Sequence, residues 1–210
     1  MLACLPLVGC VVGGVWVLCA CLVQWLPGPL AAALLAAAPW LMTGFLHLDG
    51  FMDVCDAVLS RRDLETRRRI LKDSHCGAFA VICMVLLAMG QWSAFLSARS
   101  LSLRGLALIP VASRSCAALA VLTLRPLDSS QYSAMQRGGG PVWFAAVCLA
   151  LSAVLPAVLA GSFAPAMTAV GCALAVWYGY RQLDGMSGDV SGFALTVGEL
   201  WGVLTLAVWR

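Results

Sequence analysis

Charge is what this chain has least of: 11% of its 210 residues are Asp, Glu, Lys or Arg, against 62% that are hydrophobic, and no Lys or Arg precedes Arg61. Soluble domains are about a quarter charged, so this scarcity excludes an ordinary soluble fold. A mean hydropathy of +0.93 points instead to an integral membrane protein. The apolar start has no basic n-region, so the first run reads as a retained membrane helix rather than a cleaved signal. Apolar–polar alternation is missing too, which excludes a transmembrane β-barrel. The ten cysteines contain no CxxC pair flanking the polar loops, and most lie inside apolar runs as small hydrophobes, which argues against a zinc or redox role. With a net charge of +3 and no basic tail, nucleic acid is not an expected partner.

What is present is a series of apolar runs, each near the ~20 residues that cross hydrocarbon as a helix. They predict spans at roughly 5–26, 29–48, 77–97, 104–124, 142–160, 163–183 and 190–209. The expected fold is all-α: a polytopic membrane bundle of about seven transmembrane helices, six to eight by the uncertainty of run edges, in one membrane-embedded domain, 1–210. Pro27-Gly28-Pro29 and Gly161 supply turns. Pro110 and Pro156 leave open whether their spans are straight, kinked or broken.

Long polar connections occur at about 49–76, 125–141 and 184–189. The first carries Arg61, Arg62, Arg67, Arg68, Arg69 and Lys72, the second Arg125 and Arg137, and Arg181 borders the third; seven spans put all three on one side. Arg99, Arg104 and Arg210 fall on the other. Positive residues collect in the cytoplasm, so the polar loops and the N-terminus are expected inside and the C-terminus outside. Arg61 to Asp73, with Leu64, Ile70 and Leu71 among charges, predicts a cytoplasmic interfacial amphipathic helix that touches anionic headgroups.

His47-Leu48-Asp49-Gly50-Phe51-Met52-Asp53-Val54-Cys55-Asp56 follows the second run directly. In a helix Asp49, Asp53 and Asp56 share one face. Like charges so spaced are tolerable if solvated, if they share protons, or if they hold a hard cation such as Mg²⁺, which takes one or two carboxylates beside phosphate and water. The pattern leaves a solvated helix end and a cation site both open. Two charges sit within spans, Arg114 and Glu199, either as a mutual ion pair or as a phosphate contact and a cation neighbour. Lys72-Asp73-Ser74-His75 precedes the third span, where Ser74 fits a helix N-cap and Lys72 and Asp73 a phosphate and an acidic cluster. Asp184-Gly185-Met186-Ser187-Gly188-Asp189 is a glycine-rich acidic turn that lets backbone approach a ligand. His47 is a base or a structural histidine.

These parts suit Mg²⁺-assisted transfer of a phosphorylated group, with Arg and Lys offsetting transition-state charge. An ion-coupled transporter is the rival. Its carboxylates, however, belong near the bilayer midplane of repeated halves, and this chain has its acids at span ends and no internal repeat.

His47-Leu48-Asp49-Gly50 with Asp53 and Asp56, then Lys72-Asp73-Ser74 with Gly77 and Phe79, then Arg114, Arg125-Pro126, and Gly185-x-Ser187-Gly188-Asp189 with Gly192 and Glu199, closely resemble in order the motifs of the cobalamin synthase (adenosylcobinamide-GDP ribazoletransferase) family. The resemblance runs from about Pro6-Leu7-Val8-Gly9 to Glu199. It implies a Mg²⁺-dependent enzyme of the bacterial inner membrane that joins adenosylcobinamide-GDP to α-ribazole or its 5′-phosphate, releasing GMP and yielding adenosylcobalamin or its phosphate. By resemblance His47, Asp49, Asp53, Lys72 and Asp73 are the catalytic candidates; Arg114, Arg125, Ser187 and Gly188 bind substrate phosphate; and Asp49, Asp53, Asp56 and Asp189 hold the metal. Membrane lipid is an implied partner, and self-association or association with other enzymes of corrinoid synthesis is open.

The chain departs from the family pattern in four places. It begins near the family's Pro-Leu-Val-Gly, without the usual preceding Thr-Arg-x-Pro stretch. His75 stands where Arg is common, Ser187 replaces Thr, and Asp184-Gly185 replaces Gly-Gly, adding a charge expected to alter metal affinity. CDP-alcohol phosphotransferases share an Asp-Gly start, but Asp53-Val54 and the Asp53-x-x-Asp56 spacing break their pattern.

Overall fold

The computed structural model describes residues 4–98, 100–127 and 139–209; Arg99, Arg137 and Arg210, used above for orientation, lie outside them. The described chain forms helices α1 (Leu5–Leu22), α2 (Gly28–Met42), α3 (Leu46–Leu59), α4 (Leu64–Ile70), α5 (Ala78–Ser97), α6 (Leu103–Thr123), α7 (Gly139–Ala160), α8 (Ala164–Leu183) and α9 (Gly188–Val208), with a 3-10 turn at Val23–Trp25. No strand occurs among the described residues, only an isolated bridge between Pro126 and Met186. Five helices, α1 with its 3-10 extension, α5, α6, α7 and α9, are long and apolar enough to cross a membrane, and the bent pair α2–α3 makes a sixth if counted as one span. Helix α8 fills the predicted span 163–183 and is less apolar than α7. The architecture is the expected polytopic helical bundle. Pro110 and Pro156 both lie inside uninterrupted helices, α6 and α7.

Helix α6 is the axis of the bundle, packed by α1, α7, α8 and α9. Small residues allow this: Gly9 and Gly13 of α1 lie against the α6 backbone, where a Cβ at Gly9 would come within 2.6 Å of the Pro110 carbonyl. Such small-xxx-small spacing lets helices approach where hydrocarbon on both sides removes the hydrophobic incentive to associate. Trp16 is fully buried, donates its indole N–H to the Leu35 carbonyl at 2.8 Å, and meets Phe95 edge-on at 5.8 Å. That contact ties α1 to α2 and α5.

The second predicted span is not one straight helix. It ends at Met42, and after Thr43, Gly44 (φ 58°) and Phe45 (φ 62°) the chain restarts as α3 at 93° to α2. His47 and Leu48, expected at the end of the span, therefore begin the helix that carries the acids. Two successive residues in the left-handed region permit so tight a turn, one of them a glycine that adopts it freely.

The interfacial helix is shorter than expected. Asp63 caps it, accepting from the Thr66 backbone N–H at 2.9 Å and hydroxyl at 2.8 Å, and these bonds hold its carboxyl below the usual range. Ser74 is not the N-cap of α5, which begins after Gly77. Asp56 of α3 serves that end instead.

Candidate active site

The described parts of the three polar connections meet at one end of the bundle. Arg67 and Arg68 of α4 reach the C-terminus of α8, where Arg67 Nη1 donates to Gln182 Oε1 at 2.6 Å and Arg68 Nε to the Leu183 carbonyl at 2.9 Å. Beyond α6, Leu127 N–H donates to the Met186 carbonyl at 2.8 Å and Met186 N–H to the Arg125 carbonyl at 2.9 Å. The segments 125–127 and 184–189 are thus stitched together beside α4.

Against this end α3 crosses the start of α9 at backbone distance. A Cβ on Gly50 would lie 2.8 Å from Asp189 Cα, and one on Gly192 would lie 2.9 Å from the His47 carbonyl oxygen. Only glycine fits at either crossing point. The close approach sets Asp49 and Asp53 of α3 beside Asp189, so that Asp53 experiences the charges of Asp49, Asp189 and Asp56, in that order. Neither Asp49 nor Asp53 has a hydrogen-bonded or ion-paired side-chain partner among the described residues. Ser187 caps α9, its hydroxyl accepting from Val190 N–H at 3.2 Å and donating to Asp189 Oδ2 at 3.3 Å. Gly188 opens the helix at the same point.

Asp56 stands on the same stripe of α3 but about 10 Å further along the axis than Asp49, since seven residues rise by ~1.5 Å each. Its carboxylate is buried and accepts from the Gly77 and Ala80 backbone N–H groups at 2.6 and 2.9 Å. The expected comb of three acids therefore divides, with Asp49 and Asp53 at the start of α9 and Asp56 at the start of α5.

The described residues contain no group of three or more His, Cys, Asp or Glu side chains poised to ligate an ion by themselves. The donor set nonetheless fits Mg²⁺, a hard cation that uses one or two protein carboxylates and completes its shell with phosphate oxygens and water. Asp49 and Asp53, close in charge to Asp189 and unpaired, are the groups able to serve.

The cations are distributed less compactly. Arg114 is 1% exposed and gives Nη1 to Glu199 Oε1 at 2.6 Å, while Ser113 donates its hydroxyl to the same oxygen at 3.0 Å. This is the mutual ion pair, and it closes Arg114 off from the surface. Arg114 Nε has no partner among the described residues, and the guanidinium acts on His47 through space. Arg125 is exposed and pairs with Asp184 Oδ1 at 2.7 Å. Asp184 and Tyr180 together hold Arg125 even more firmly protonated than usual. Among the described residues, no hydrogen bond or ion pair links Lys72 or Asp73 to the acids of α3 and α9. Asp73 instead meets the His75 ring at 2.6 Å, which pulls its own carboxyl down and the imidazole up.

Sequence reading did not find the inward role of Arg67 and Arg68, which looked like members of a basic run, or the capping by Asp56. The backbone contacts at Gly50 and Gly192 did have a signal, since each glycine sits within three residues of an acidic position in the motifs.

The sequence pattern of the family described as cobalamin-5-phosphate synthase matches residues 1–207. The chain is 37% identical to an adenosylcobinamide-GDP ribazoletransferase of Clostridium botulinum, over 100% of this chain and 87% of the relative. Enzymes of the same name from Clostridium perfringens and Halalkalibacterium halodurans are 35% and 33% identical, each over 97% of this chain and over 85% and 84% of their own lengths. No solved structure gives a significant match.

Proposed function

The chain belongs to the cobalamin-5-phosphate synthase family, and from that premise we propose that it is an adenosylcobinamide-GDP ribazoletransferase. A hydroxyl of α-ribazole, or of its 5′-phosphate, attacks the phosphorus linked to cobinamide; the bond from that phosphorus to the GMP portion breaks; adenosylcobalamin, or its phosphate, and GMP result. The observation that carries this reading is the crossing of α3 and α9, which brings Asp49 and Asp53 to Asp189 beside the joined polar segments.

Asp49 and Asp53, with Asp189, are the proposed Mg²⁺ ligands. When bound, the ion would polarise phosphoryl oxygens and offset negative charge. Ser187 and Gly188 present the first N–H groups of a 21-residue helix toward phosphate, where the helix dipole favours an anion. Arg125 and Lys72 are exposed cations able to meet phosphate as it arrives. His47, at the first turn of α3, is the proton acceptor for the attacking hydroxyl. Asp73 binds the His75 ring at the rim and raises its basicity, and Asp56 supports the site by fixing α3 to α5. The ion-coupled transporter is not favoured, because the family is one of transferases and Glu199 is taken up by Arg114 and Ser113.

Purified protein in nanodiscs, given adenosylcobinamide-GDP, α-ribazole and Mg²⁺, is expected to release GMP, and chelation of Mg²⁺ to stop it. Absence of GMP release would overturn the assignment. Asp53→Asn keeps the shape and loses the charge, and is expected to lower the rate by at least about a hundredfold, the scale of removing one electrostatic contact with a transition state, without impairing insertion. We further propose an inner-membrane location with this end cytoplasmic. A variant retaining only Cys76, which is exposed in the loop before α5, should react with an impermeant maleimide in inverted vesicles and not in right-side-out cells.

A further inference from the structure

The carboxylate of Asp184, in the turn between α8 and α9, bridges two arginines from distant segments. Oδ1 is 2.7 Å from Nη2 of Arg125, just past α6, and Oδ2 is 3.4 Å from Nη2 of Arg68 on α4. One oxyanion between two guanidiniums is the arrangement by which arginines grip phosphate. The backbone does not ask for this carboxylate, because Asp184 adopts φ 53° at the C-terminus of α8, a conformation in which glycine is at least as comfortable. Nor is the pair built for strength: the side chains of Arg125, Asp184 and Arg68 are 62%, 55% and 32% exposed, and exposed ion pairs exchange readily. Both arginines keep other anchors, since Arg68 Nη2 and Arg125 Nη2 each donate to the Asp184 carbonyl at 2.9 Å and Arg68 Nε to the Leu183 carbonyl at 2.9 Å. They would hold their places if the carboxylate swung away. Three residues further on, Ser187 begins the helix that carries Asp189.

We propose that Asp184 is an internal stand-in for a phosphate of the nucleotide substrate, occupying Arg68 and Arg125 until the substrate's pyrophosphate displaces it, and that it thereby sets substrate affinity rather than chemical rate. The inference rests on the transferase reading above. It makes Arg68 a phosphate-contacting residue alongside Arg125, and Asp184 the competitor for both.

The test is calorimetric titration of inorganic pyrophosphate into the protein in zwitterionic nanodiscs, alongside GMP-release kinetics. Asp184→Asn and Asp184→Gly should bind pyrophosphate about threefold to tenfold more tightly, the range that exposed ion pairs convert to. They should lower KM for adenosylcobinamide-GDP by a similar factor, with kcat within about twofold. Adding Arg125→Ala or Arg68→Ala to Asp184→Asn should erase much of the gain. Unchanged or weaker pyrophosphate binding overturns the proposal, as does a fall in kcat at constant KM, which would make Asp184 a positioning residue. Asp184→Gly suits the left-handed backbone and so guards against misfolding as the explanation. If the wild type releases no GMP, the transferase reading falls while the pyrophosphate titration still decides the role of Asp184.

Discussion

Glu199 offers the sharpest test of the bundle's interior. Its side chain is 4% exposed and the Arg114 side chain 1%, at 2.6 Å separation, so removing the carboxylate strands a guanidinium with no water to receive it. Breaking a buried pair by deleting one partner costs about 3–5 kcal/mol. Arg114 already carries an unpartnered Nε, an orphan donor on the scale of about 1–3 kcal/mol, and apart from Glu199 its Nη1 has only long contacts, 3.4 Å to the Pro110 carbonyl and 3.5 Å to the Ser113 hydroxyl, to absorb the loss. Glu199→Ala should therefore lose about 3–5 kcal/mol in reversible unfolding in mixed micelles, and Glu199→Gln less, because it keeps an acceptor for Nη1. The double variant Arg114→Met/Glu199→Leu removes both charges and should recover most of that loss, since apolar replacement of a whole buried pair is often neutral or better. A loss below about 1 kcal/mol for Glu199→Ala, the figure for exposed pairs, would refute a desolvated pair.

Gly50→Ala should cost about 1–3 kcal/mol by overpacking, and should abolish GMP release by pushing α3 off α9; a fully active, fully stable Gly50→Ala protein would contradict the 2.8 Å approach to Asp189. Asp56→Ala leaves the Gly77 and Ala80 N–H groups without their acceptor and should lower stability by about 1–3 kcal/mol, visible as a lower melting temperature. The His75 imidazole, raised above its ordinary 6.5 by the Asp73 carboxylate, should titrate higher in NMR than in Asp73→Asn. Its contribution to stability is present below pH 6.5 and disappears as pH rises through the raised value, and His75→Gln should remove that dependence.

Much of the fold was legible because its signal is length and hydropathy: six of the seven predicted spans coincide with single helices, and the described parts of the three polar connections expected on one side do meet at one end. The bend at Thr43–Phe45 was hidden, because a lone Gly44 in the apolar run before His47 is as compatible with a straight span as with one that turns through a right angle. The acidic motif was visible by its spacing, yet helical periodicity places side chains around one helix and says nothing of which neighbour each meets. That is why Asp56 could be grouped with Asp49 and Asp53, although a different helix takes it up. Arg68 was obscured by its company, since a run of five arginines between 61 and 69 reads as a positive-inside anchor. The added charge at Asp184 was noticed, but its neutralisation by Arg125 and Arg68 depends on contacts between residues 59 and 116 positions apart, beyond what local pattern records.

The divided stripe of α3 also fixes the frame in which that helix can be read. Asp56 is held by the first turn of α5, while Gly50 allows α3 to sit against Asp189. Sliding α3 by a single position would rotate it by about 100°, withdrawing the carboxylate from α5 and driving a side chain into α9 at the same stroke. The helix is therefore locked like a key cut on two edges, and a residue inserted between Asp53 and Asp56 would disable the protein even though every functional group remained in the chain.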